Sequence, residues 1–141
     1  MGRSGYVEDF EDEDESGACN LYRGSVERAL RGRRGQAFLR EMAAALDAMP
    51  VKELIANDLV CEDGRVCAMG AVAVARKLDV SKIDETEPED VAAVFGIARS
   101  MACEIAFIND DDFGWKRETS AERFVRVRAW VAALINEVPV A

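Results

Sequence analysis

Apolar positions recur with helical spacing most clearly towards the end of the chain. At about 100° per residue, Phe124, Val127, Val131, Leu134, Ile135 and Val138 fall within one narrow arc, a core-facing stripe. Thr119 followed by Glu122 has capping-box spacing at its start, and Pro139 ends it, so a helix to Val138 is expected. A second stripe, Phe38, Leu39, Met42, Leu46 and Met49, predicts a core helix from Gln36 to Met49 that Pro50 terminates. In "GAVAVARKL" the Ala/Val alternation suits a strand, but the alanine content and the Arg-Lys ending favour a helix.

The helical pattern breaks at "DLVCEDGRVCAM". Asp63-Gly64 lies between two β-prone runs and predicts a β-hairpin closed by a two-residue type I′ turn. Such a turn sets Glu62 against Arg65, Cys61 against Val66 and Val60 against Cys67, so Cys61 and Cys67 point to opposite faces and cannot bond.

Beyond the acidic loop "DETEPED", Thr86 and Glu89 repeat the capping-box spacing, with Pro88 in the first turn of a helix from Glu87 to Phe95. Gly96 interrupts it, and Ile97 to Ile108 forms another. With Gly96 at the turn, Val91, Ala92, Phe95, Ile97, Ala102 and Ile105 take the apolar or small positions by which two helices pack at a steep angle. In that alignment the outer side of the second helix presents Arg99, Cys103, Ala106 and Phe107. The expected fold class is α+β, mainly α: a compact helical domain with one small β-hairpin and a helix-turn-helix-like corner.

Charge divides the chain. Residues 1–22 carry one Arg against seven carboxylates and read as an acidic, disordered tail, or as one that orders on a basic surface. Residues 23–35 read as an arginine-rich hinge, containing a short helix capped by Ser25 and ending at Gly32. Residues 36–141 form the single mainly helical domain that a chain of this length supports. No apolar run approaches the roughly 20 residues that span a bilayer, and the acidic start is unlike a signal peptide. A cytoplasmic protein is expected.

Composition closes much familiar chemistry. There is no histidine, which removes Ser-His and Cys-His nucleophile pairs and every zinc site not built from thiolates and carboxylates. Cys19, Cys61, Cys67 and Cys103 are too few and too irregular for a disulfide scaffold. "NDDDFG" fits a calcium loop only in part: counted from Asn109, Phe113 and Ser120 stand where ligands five and twelve belong. Walker, dinucleotide and nucleophile-elbow motifs are missing. The expectation is a non-enzyme with no cofactor and no metal.

Base reading needs Arg, Asn, Gln, Ser or Thr on the groove-facing side of a helix. Only Arg99 qualifies at the corner, with Ser100 at its margin, and residues 84–112 hold one Arg against nine carboxylates. Nucleic acid is therefore disfavoured as a partner. The favoured reading is a protein with a basic surface, bound through Glu11, Asp12, Glu13, Asp14, Glu15, Glu87, Glu89, Asp90, Asp110, Asp111 and Asp112, with Phe107, Trp115 and Trp130 as apolar anchors. The alternative is a helix-turn-helix DNA-binding regulator using Arg28, Arg31, Arg33, Arg34, Arg99 and Ser100.

The segments "GRRGQAFLREMAAALDAMP", "VCAMGAV", "FGIA" with "MACEIAFIND", and the "ET…ERFVRVRAWVAALI" ending carry a resemblance to small bacteriophage or prophage proteins, over about residues 32 to 136. These are packing and capping patterns. What the resemblance implies is context: a protein made in an infected bacterial cell that binds a host or phage component. Inhibition of host defence and imitation of the charge of DNA are forms such binding takes.

Overall fold

The structure is a computed structural model that describes residues 3–4, 18–110 and 117–135. Among them are six helices: α1 (Ala18–Arg31), α2 (Arg33–Ala48), α3 (Ala68–Arg76), α4 (Pro88–Phe95), α5 (Arg99–Asp110) and α6 (Ser120–Leu134). Helix α2 packs against α1, α3 and α6, while α5 packs against α1, α3, α4 and α6. The core between them is built from Leu39, Met42 and Leu46 of α2, Val72 of α3, Phe95 of α4, Met101 and Ile105 of α5, and Val127 and Val131 of α6.

The expected β-hairpin is not formed, and among the described residues there is no strand or sheet. Asp63-Gly64 does turn the chain, but pairing is limited to an isolated antiparallel bridge between Val60 and Val66. The loop has three residues, because Cys61 N–H donates to the Arg65 carbonyl at 2.9 Å and Gly64 takes a left-handed φ of 88°. The register is thus shifted by one from Cys61 facing Val66. Pairing stops there because Cys67 is the N-cap of α3, its sulfur accepting from the Gly70 N–H at 3.4 Å. The chain has become helical before a second bridge can form.

Residues 23–35 are helical almost throughout, with Gly32 the extended N-cap of α2. Helix α1 starts at Ala18, ahead of Ser25, and buries Val26 and Leu30 in the common core. The two helices meet closely at Gly35. Buried Gln36 joins them to α6, donating to the Leu30 carbonyl at 2.8 Å and to the Leu134 carbonyl at 2.9 Å. Both acceptors lie in the last turn of a helix, where carbonyls lack intrahelical partners.

The capping box opening α6 is present, with Thr119 N–H donating to Glu122 Oε1 and Glu122 N–H to Thr119 Oγ1. That expected at α4 is not. Glu87 is the N-cap and makes no side-chain cap bond, because the Asp84 carboxylate accepts both the N–H and the hydroxyl of Thr86. Gly96 closes α4 at a φ of 75°, and α5 departs at 105° to it.

Candidate functional site

Two faces meet at the α4–α5 corner, and they differ. The first turn of α4 exposes Glu87, Glu89 and Asp90. Carboxylates are favoured there by the positive end of the helix dipole, so local energetics alone accounts for their presence. Their exposure makes them available to a partner. Arg99, at the start of α5, is half-exposed and lies 3.8 Å from Glu89, so the corner's basic side chain faces a carboxylate.

The outer side of α5 is not a free surface. Cys103 is 1% exposed and Ala106 9%, while Ser100 and Phe107 are half-buried. This corrects the expectation that Cys103 and Ala106 present a groove-facing side. Helix α1 packs there, with Arg23 Nη1 donating to Glu104 Oε1 at 3.0 Å. Burial pushes the Cys103 thiol pKa above its ordinary value. The short helix expected from Ser25 to Gly32 is the C-terminal part of this longer covering helix, which begins at Ala18.

The basic corner is open. Arg28 and Arg31 end α1, Arg33 and Arg34 begin α2, all four are exposed, and none forms an ion pair with a described residue. Of the expected apolar anchors, Trp130 is half-buried against the core. Glu11, Asp12, Glu13, Asp14, Glu15, Asp111, Asp112 and Trp115 lie outside the described residues, as does most of the calcium-like loop.

Asp110 is engaged internally. Its carboxylate accepts two bonds of 2.8 Å from Arg3 and one of 3.0 Å from the Asn57 N–H. Burial works against its charged form, but the Arg3 hydrogen bonds outweigh it and hold the pKa below the usual aspartate value. Burial likewise disfavours charge on Arg3, and Cys67 and Asp110 overcome it, raising the pKa above the arginine value. Nearby, Glu85 is pushed up by burial although it accepts from the Leu59 N–H. Nothing in the spacing of residues 3, 67, 85 and 110 signals this cluster.

Cys61, Cys67 and Cys103 are free thiols. Among the described residues, no group of three or more Cys, Asp or Glu side chains is placed to hold a metal ion. Nor is any single described helix long and apolar enough to cross a membrane. A separate open groove of about 560 Å³ runs between α2, α3 and the 63–66 turn, lined by Ala48, Met49, Val51, Val66 and Val74. In comparisons with known proteins, the chain matches no family model, no curated protein and no solved structure.

Proposed function

We propose that this is a non-enzymatic binding protein whose acidic edge, Glu87, Glu89 and Asp90 at the start of α4, engages a basic surface on a host or phage protein in the bacterial cytoplasm. A nucleic-acid-handling partner, met through DNA-like charge, is the most specific form of this reading. The supporting observation is the asymmetry of the corner: its acidic residues are exposed, whereas Cys103 and Ala106, on the side a DNA reader would use, are buried, Cys103 beneath α1 and Ala106 against the cavity beside Arg3 and Glu85. The test compares wild type with the E87K/E89K/D90K variant at low salt. Wild type should retain a basic host or phage protein, the variant should lose it while keeping its helical circular dichroism, and neither should retard duplex DNA. Equal retention by both proteins would refute the acidic edge.

The alternative, a DNA-binding regulator, draws support from Arg28, Arg31, Arg33 and Arg34, which are exposed at the α1–α2 corner. Arg99 and Ser100 add little to it, since Arg99 faces Glu89 and Ser100 is half-buried. A retarded duplex that R28A/R31A/R33A/R34A no longer shifts would select this reading.

A further inference from the structure

Arg3 lies outside every helix, yet only 5% of its side chain is exposed. Its guanidinium enters a cleft made by three internal parts of the fold. The last turn of α5 supplies Asp110, whose two oxygens accept from Nε and Nη2 at 2.8 Å each. The N-cap of α3 supplies Cys67, whose sulfur is 3.4 Å from Nη1. Glu85 and Pro88, leading into α4, share with Arg3 the lining of a small adjoining cavity.

The cleft is held by bonds in which Arg3 has no part. Asn109 Oδ1 accepts from the Ala68 N–H at 3.0 Å, and Asn109 Nδ2 donates to the Ile55 carbonyl at 2.9 Å. The Asn57 N–H fixes Asp110, and the Leu59 N–H fixes Glu85. Those bonds set a carboxylate and a sulfur in place for a flat, forked cation, which is the geometry of a guanidinium and not of an ammonium. Asp110 is the more open partner, at 16% exposure. The occupant, in contrast, sits in a turn and belongs to no described helix. Glu85 is followed directly by the exposed edge at Glu87, Glu89 and Asp90.

We propose that this cleft is a guanidinium-binding site which Arg3 fills in cis, and that an arginine side chain of the basic partner displaces Arg3 on binding. The inference rests on the acidic edge being the partner surface, since that edge brings basic side chains to the cleft. It adds the chemistry of the ligand: a single arginine, read by a bidentate bond to Asp110.

The experiment uses the full chain and a blocked pentapeptide, Gly-Gly-Arg-Gly-Gly, beside the same peptide with citrulline, the uncharged isostere. R3A should bind the arginine peptide at least about tenfold more tightly than wild type, because the competing occupant is gone. The citrulline peptide should not bind, and adding D110N to R3A should abolish binding. Folding of R3A is checked by its melting temperature with and without methylguanidinium, which should raise it. Should R3A not fold, R3K takes its place in the same comparison, as lysine lacks the fork. Equal affinity of the Arg3 variant and wild type would overturn the proposal and leave Arg3 a structural staple. Tight peptide binding by R3A, with partner capture unaffected by E87K/E89K/D90K, would instead leave the cleft standing and remove the acidic-edge reading.

Discussion

A Cβ placed on Gly35 would lie 1.8 Å from the carbonyl oxygen of Ala29, so α1 and α2 touch backbone to backbone where the chain reverses. No side chain fits between them. G35A must therefore push the helices apart, disturbing Val26 and Leu30 on α1 and the Gln36 bonds that follow. A loss of about 2–3 kcal/mol is expected from chemical denaturation, in the upper part of the range for overpacked sites. Gly64 provides the control. A Cβ there meets nothing within 4 Å, and only its φ of 88° resists substitution, so G64A should lose about 1 kcal/mol.

Helices α2, α3 and α4 are tied together by Arg76. Its guanidinium lies 5.5 Å from the Phe38 ring and 5.9 Å from the Phe95 ring, donates to the Phe95 carbonyl, and forms a forked pair with Glu41. R76A should cost about 2 kcal/mol, and R76K should recover less than half of that because lysine has neither the flat face nor the fork. E41A should cost at most about 1 kcal/mol, since that pair is partly exposed to solvent. Thermal melts of the three variants would establish the order.

Acid should weaken the Arg3–Asp110 pair in a defined direction. The Asp110 pKa is lowered in the folded protein, so its contribution is complete above the ordinary aspartate value near pH 4 and is lost as the pH falls through the lower folded value. D110N leaves Arg3 buried without its counter-charge and should cost about 3 kcal/mol at neutral pH. The gap between variant and wild type should close as the pH is taken below about 4. Glu85 works the other way: its raised pKa makes protonation favour the folded state, so E85Q should steepen the acid transition. Urea titrations across this range would measure both effects.

The two Thr-x-x-Glu sequences should respond differently to alanine. T119A removes a cap that is made and should cost about 1 kcal/mol. T86A removes a hydroxyl that serves only the Asp84 turn, and its effect should stay within about 0.5 kcal/mol. The contrast is a direct check that identical spacing is put to different uses.

Both sequences looked alike because capping depends on which acceptor arrives first. At Thr86 a local competitor, the Asp84 carboxylate, accepts the Thr86 N–H that the Glu89 carboxylate would otherwise take; at the same offset Thr119 is preceded by Arg117, which offers no acceptor. The Asp63-Gly64 signal was likewise sound as a turn and failed as a hairpin. A strand pair needs several residues on each arm, and Cys67 had already been recruited as a helix cap. The Tyr22, Val26, Ala29 and Leu30 stripe of α1 was present in the sequence but obscured by the arginines interleaved with it.

Periodicity alone was enough for the α6 stripe through Phe124, Val127 and Val131, for the α2 face around Leu39, Met42 and Leu46, and for the bend at Gly96. Those features depend on neighbours within a turn or two of helix, where backbone geometry leaves few options. The covering of Cys103 by α1 and the seating of Arg3 on Asp110, 107 residues away, belong to the tertiary structure. Burial and charge pairing between distant segments are set by which surfaces come together when the core closes, and residue spacing along the chain carries no record of that.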